Sequence, residues 1–189
     1  PQADRDWAQQ WLKNNAVPQD KILIALVPGG GQSWGTNAKY KRWPADKYAQ
    51  LVDKIIANQD AAIILMGDQK EEPLCREVSH LAHFPVYFAA GQTTITQMAA
   101  LFTRCRLAIV NDGGPLHIAS AVGVKTVSLF GPVDPLAYGP YPPGGHVVVT
   151  AGLACQPCYR NFRMSSCSHI SCLNQLGVDK VYRKVEQNL

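Results

Sequence analysis

Residues 111–117, Asn-Asp-Gly-Gly-Pro-Leu-His, put a carboxylate, two glycines and an imidazole into one short run. Gly113 and Gly114 let the backbone turn sharply, and Pro115 suits the first position of a helix. A helix start leaves N–H groups without intrahelical partners, pointing the same way, which makes a cradle for a phosphate. Asp, Gly and Pro are also what any tight strand-to-helix turn uses. Asp112 and His117 are not needed for the turn, however, and His117 falls within the first helical turn, able to face the same cleft. Their company favours a ligand there.

Three other stretches carry residues of the same kind. Pro28-Gly29-Gly30-Gly31 follows an apolar run; its glycines let backbone approach a ligand closely, although the spacing is not the G-x-G-x-x-G of dinucleotide sites and a plain flexible loop reads nearly as well. Lys39-Tyr40-Lys41-Arg42-Trp43-Pro44 leads into a helix. Basic residues at a helix start oppose its dipole unless an anion is bound there, the alternative being a solvated basic loop. Glu71 stands just past a second apolar run: either an ordinary complement to a helix dipole, or an acid where doubly wound sheets hold a ribose.

Those residues need strands and helices to bring them together. Residues 107–110 read as a buried strand, 115–122 as a helix stopped at Gly123, and 126–130 as a second strand, a parallel strand-helix-strand unit. Upstream, residues 22–27 and 61–66 are continuous apolar runs, as expected of strands covered on both faces, and 85–88 is a short strand. Helices are expected at 4–15, from Pro44 with Tyr48, Leu51, Val52, Ile55 and Ile56 inward, from Glu71 with Leu74, Val78 and Leu81 inward, after the Thr93-Thr94 cap with Ile95, Met98, Ala99 and Phe102 inward, and at 178–185. Residues 131–145 form a Pro/Gly-rich loop and 146–150 a last strand. The opening helix carries Trp7 and Trp11 and has no evident partner in an ordinary sheet start, so it is expected to pack on something upstream.

The totals set bounds. At 189 residues with 47% hydrophobic and 17% charged side chains, the chain has a sizeable core and is not disordered. A formal charge of +4 with scattered lysines and arginines does not imply nucleic acid, but suits a phosphorylated small molecule or an acidic membrane surface. No apolar run reaches the length of a membrane span, and the N-terminus lacks a signal pattern. Cys155-x2-Cys158-x8-Cys167-x4-Cys172 has spacing that could surround zinc, with unliganded thiols or an oxidised pair as the alternative; Cys75 and Cys105 read as core thiols.

The ordered set P-G-G-G, K-R-W-P, G-D-Q-K-E, G-Q-T-T-I, N-D-G-G-P-x-H-I-A-S-A-x-G and S-L-F-G-P, spanning residues 22–132, resembles glycosyltransferase family nine, the lipopolysaccharide heptosyltransferases. The resemblance implies an α/β fold with a single Rossmann-like doubly wound parallel sheet, the C-terminal, donor-binding half of a GT-B enzyme. Residues 1–21 would then be a linker helix from a missing N-terminal domain, and 22–189 the nucleotide-sugar-binding domain with a Cys-containing extension. It further implies inverting transfer of heptose from ADP-heptose, or of a sugar from another nucleotide donor, to the lipopolysaccharide inner core. No cofactor or catalytic metal is implied, and the location would be the cytoplasm, peripheral at the inner membrane.

Carried over residue by residue, the resemblance implies that Lys41 contacts the donor diphosphate with Thr36 nearby, and that Glu71 holds the nucleoside. Asp112 would meet sugar hydroxyls while Gly113, Gly114 and His117 surround diphosphate and sugar, with Gly30 in the facing glycine loop. Where the family usually has Ser or Thr after the Asp, this chain has Gly113, losing a hydroxyl donor. The family's acceptor site and general base belong to the other half, so no catalytic residue is assigned here. Two readings stand beside this one. A stand-alone nucleotide or sugar-phosphate binding module would need only the cradle; an epimerase or dehydrogenase fragment would need a dinucleotide glycine pattern and a Tyr-x-x-x-Lys pair, for which Tyr182 and Lys184 are misplaced.

Overall fold

Apolar runs without polar alternation suit strands covered on both faces, and the three such runs at residues 22–27, 61–65 and 107–110 form the centre of one six-stranded parallel sheet. The structure, a computed structural model, describes residues 1–31, 33–142, 144–164 and 166–189, the side chain of Thr36 excepted. Its first half runs α1 (Gln2–Asn14), β1 (Ile22–Val27), a 3-10 turn (Gly35–Lys41), α2 (Ala45–Asn58), β2 (Ala61–Leu65), α3 (Glu72–Leu81), β3 (Tyr87–Phe88) and α4 (Ile95–Phe102). The second runs β4 (Leu107–Asn111), α5 (Gly114–Ala121), β5 (Lys125–Leu129), α6 (Pro135–Tyr138), β6 (Val147–Val149), a hairpin of β7 (Tyr159–Arg160) and β8 (Arg163–Met164), α7 (Ser171–Asn174) and α8 (Val178–Glu186).

The strands lie in the order β3-β2-β1-β4-β5-β6, all parallel. This is the doubly wound order, and it places β1 beside β4, where the winding reverses. Side chains alternate between two cores. Ile24, Leu26, Ile63, Leu65, Leu107 and Ile109 face α2, α3 and α8; Ala25, Val27, Ile64, Ala108 and Val110 face α1, α4 and α5. The expected Rossmann-like sheet is thus present. The hairpin and α7, which the sequence left unassigned, follow β6.

Three expectations need correction. The opening helix does have a partner in this chain: Ala8 and Trp11 are buried in the α4 core, and Trp11 Nε1 donates to Gln92 Oε1 at 3.2 Å. Leu81 is 43% exposed, because Cys75 and Val78 set the buried face of α3 and Leu81 ends that helix. Ile95 is 73% exposed, since it is the first residue after a complete capping box in which Thr94 accepts from the Gln97 N–H and Gln97 from the Thr94 N–H. No helix among the described residues is long and apolar enough to cross a membrane.

Candidate functional site

Because β1 and β4 are neighbours, the loops leaving their carboxyl ends meet. Asn111, the last residue of β4, donates from Nδ2 to Pro28 O at 2.7 Å and Gly29 O at 3.3 Å, and accepts at Oδ1 from the Tyr48 hydroxyl of α2 at 2.7 Å. The amide thereby joins both loops and α2, and it is buried, as such a junction must be. Burial pushes the Tyr48 phenol far above its ordinary range, which keeps it a hydrogen-bond donor.

The loop backbones touch. A Cβ on Gly113 would sit 1.9 Å from Gly30 O, and one on Gly30 would sit 3.2 Å from Asp112 O with a positive φ of 108°. Gly113 therefore does more than omit a hydroxyl: in this arrangement no side chain fits there. Gly30 serves this loop-to-loop contact rather than lining the cavity in front of it.

That cavity, about 350 Å³, is lined by Lys41, Asp112, Gly113, Gly114 and His117 together with the rings of Trp34, Tyr138, Tyr159 and Phe162. Lys41, at the end of the 3-10 turn, is buried, with its Nζ 2.8 Å from Asp112 Oδ2 and 4.4 Å from the centre of the Trp34 ring. α5 starts at the cavity with Gly113 as its N-cap, which no side chain caps; Pro115 has no N–H and the Leu116 N–H donates to Gly113 O at 3.1 Å, which leaves the N–H groups of Gly113 and Gly114 open to a ligand or water. His117 is exposed on the first turn, on the cavity wall. The two loops thus converge on one cavity. Thr36 lies in the 3-10 turn, but its side chain is outside the described residues.

Glu71 stands behind the cavity rather than in it. Its Oε1 accepts from the Gly31 N–H at 2.7 Å and its Oε2 from the Asp68 N–H at 3.1 Å, and it is 1% exposed. The carboxylate fills the space a Cβ on Gly29 would need. Burial raises its pKa above the ordinary glutamate range, partly offset by those two N–H groups. Any nucleoside contact would have to compete with both backbone donors.

Sequence reasoning missed the aromatic wall. Trp34 and Tyr159 have ring centres 4.5 Å apart, and Tyr138 lies 6.1 Å from Tyr159. The one available signal was that these rings sit in polar or Gly/Pro-rich segments, outside any amphipathic pattern. Among the described residues no disulfide joins the six cysteines, and no three His, Cys, Asp or Glu side chains are grouped to hold a metal. Burial pushes Cys75 and Cys105 up to about 12 and Cys172, which also feels the neighbouring thiols, up to about 11.

The model of glycosyltransferase family 9 (heptosyltransferase) matches residues 1–169. A lipooligosaccharide heptosyltransferase 2 of Campylobacter jejuni is 29% identical over 171 residues, covering 88% of this chain and 51% of that protein. Among solved structures, a family 9 glycosyltransferase from Veillonella parvula superposes with a TM-score of 0.80 at 24% identity, over 98% of this chain and 51% of that one. An E. coli ADP-heptose lps heptosyltransferase II does so at 0.75 and 20%, over 99% and 51%. The chain therefore spans about half the length of the relatives it matches. With the family model covering most of its residues, a doubly wound sheet and the two loops meeting at the switch point, this chain belongs to glycosyltransferase family 9, the heptosyltransferase family.

Proposed function

We propose that this chain is the donor-binding half of an inverting heptosyltransferase that moves heptose from ADP-heptose to the lipopolysaccharide inner core. The observation that carries the reading is the convergence of Lys41 and the uncapped start of α5 on one cavity at the carboxyl edge of the sheet. One structural relative is an ADP-heptose lps heptosyltransferase, and that pairing of donor and acceptor is the one transferred here.

The division of labour follows from charge. Lys41 and the N–H groups at Gly113 and Gly114 take the diphosphate, while Asp112, which a phosphate would repel, accepts from sugar hydroxyls. In the free site Lys41 and Asp112 neutralise each other; the donor satisfies both at once, phosphate to one and hydroxyl to the other. As the glycosidic bond breaks, the nucleoside diphosphate gains negative charge, and donors already aimed at it lower the barrier. Glu71 contributes by fixing the glycine loop through Gly31 and Asp68. The base that deprotonates the acceptor hydroxyl, and the acceptor pocket, come from the other half of the enzyme, with residues 1–21, which include α1, linking the two. Transfer takes place at the cytoplasmic face of the inner membrane, and this chain alone turns over no donor.

Calorimetry with ADP and adenosine tests the site. Lys41→Ala weakens ADP by about 10- to 100-fold, the worth of a charge-assisted hydrogen bond, and leaves adenosine unchanged. Equal loss for both ligands refutes the assignment. Robust sugar transfer by the 189 residues alone would refute the missing-base reading.

A further inference from the structure

Lys41 has a flexible four-carbon stem and a compact charge, so something must hold it where a phosphate will arrive. Asp112 does so in the free site, but a carboxylate also neutralises the ammonium and must let go when a sugar hydroxyl claims it. The Trp34 ring, 4.4 Å from Nζ, behaves differently: its π face attracts the cation without cancelling the charge or competing for the anion.

The ring is itself fixed from afar. Trp34 packs at 4.5 Å and 37° against Tyr159, the first residue of β7, and Tyr159 meets Tyr138 of α6 edge-on at 6.1 Å. Tyr159 is anchored by its own N–H, which donates to Pro132 O at 3.0 Å, as does that of Cys158. Gln156 Nε2 adds a 2.6 Å bond to Gly131 O, and the Tyr40 hydroxyl reaches Cys167 O at 3.3 Å. The extension beyond β6 is thus laced to the loop after β5 and to the 3-10 turn that carries Lys41.

We propose that Trp34 and Tyr159 are positioning residues for Lys41, and that the C-terminal hairpin is held against the loop after β5 to supply Tyr159 as the support for Trp34. The role rests on the reading of Lys41 as the diphosphate partner. Trp34 keeps the ammonium aimed into the cavity once Asp112 turns to the sugar, and Tyr159 keeps Trp34 in place.

The test is a double-mutant cycle read by calorimetry on the full chain, with ADP and adenosine as probes. Trp34→Leu keeps apolar bulk but removes the π face; it weakens ADP about 5- to 10-fold, leaves adenosine within about twofold, and Trp34→Phe restores most of the loss. Tyr159→Leu gives a smaller effect of the same kind, about threefold. On a Lys41→Ala background Trp34→Leu changes nothing further, because there is no cation left to position. A second full loss on that background, or an equal loss for adenosine, means that the ring touches the ligand directly, and overturns the proposal. A silent Trp34→Leu beside a damaging Lys41→Ala overturns the positioning role alone. A silent Lys41→Ala overturns the reading beneath it as well. Near-wild-type thermal midpoints for Trp34→Phe and Trp34→Leu separate these outcomes from misfolding.

Discussion

Both edges of the sheet open onto a cavity: about 590 Å³ at the amino edge, between α1 and the starts of β1 and β4, and about 350 Å³ at the carboxyl edge. The larger one is lined by Leu12, Val17, Lys21, Arg104 and Arg106, whose two guanidinium-bearing residues are exposed. Lys21 there meets Asp60 at 3.7 Å on the open surface. At the carboxyl edge the charges are inside. Lys41, Glu71 and Asp112 are the buried charged residues among those described, and all three stand within the two converging loops or directly behind them. Taking a charge out of water costs several kcal/mol even when it is paired, so a fold selected for stability alone has no reason to gather three there. Size marks the groove beside α1; buried charge marks the candidate site.

The contrast breaks most visibly at the contact between the loops. Gly113→Val places side-chain carbon where Gly30 O now lies, forcing the loops apart, and ADP affinity measured by calorimetry falls by more than about 100-fold. Retention within threefold would mean that the loops need not touch for the site to form. Next in size is the buried ion pair. In urea unfolding, Lys41→Ala costs about 3 kcal/mol, because Asp112 keeps its burial and loses its partner.

Glu71→Gln sharpens the comparison through pH. Burial holds the Glu71 carboxyl above its ordinary value, so the folded chain binds that proton more tightly than the unfolded one. Its contribution is full below the ordinary glutamate pKa and declines as pH rises through the raised value. The stability gap between wild type and Glu71→Gln therefore moves against the wild type as pH rises from about 4 to about 8. A flat gap, or one moving the other way, removes desolvation as the dominant influence on this group. The smallest effect belongs to the amino edge: Arg104→Ala leaves ADP affinity within about twofold and stability within about 0.5 kcal/mol. A large loss there would make that edge a functional surface and end the contrast.

Much of the fold was legible because its signals are local. Continuous apolar runs marked β1, β2 and β4, Thr94 marked the start of α4, and the helix expected at 178–185 is α8. The errors came where a side chain's fate depends on what lies across from it. Leu81 and Ile95 have the right spacing but sit at helix ends, and Trp11 found its partner 81 residues away in Gln92.

The site divides along the same line. By themselves, the residues determined that a glycine turn opens α5, that Asp112 and His117 flank it and that basic residues precede α2, because turn chemistry and helix capping are decided within a few positions. Only the tertiary structure decided that β1 lies beside β4, since strand order depends on which apolar faces can be covered together. From that adjacency follow the contact of Gly30 with Gly113, the pairing of Lys41 with Asp112, the withdrawal of Glu71 behind the loop and the arrival of Tyr159 at Trp34. Each of these joins residues some 40 to 125 positions apart, and the free energy that fixes them comes from burying the whole sheet rather than from any run of sequence.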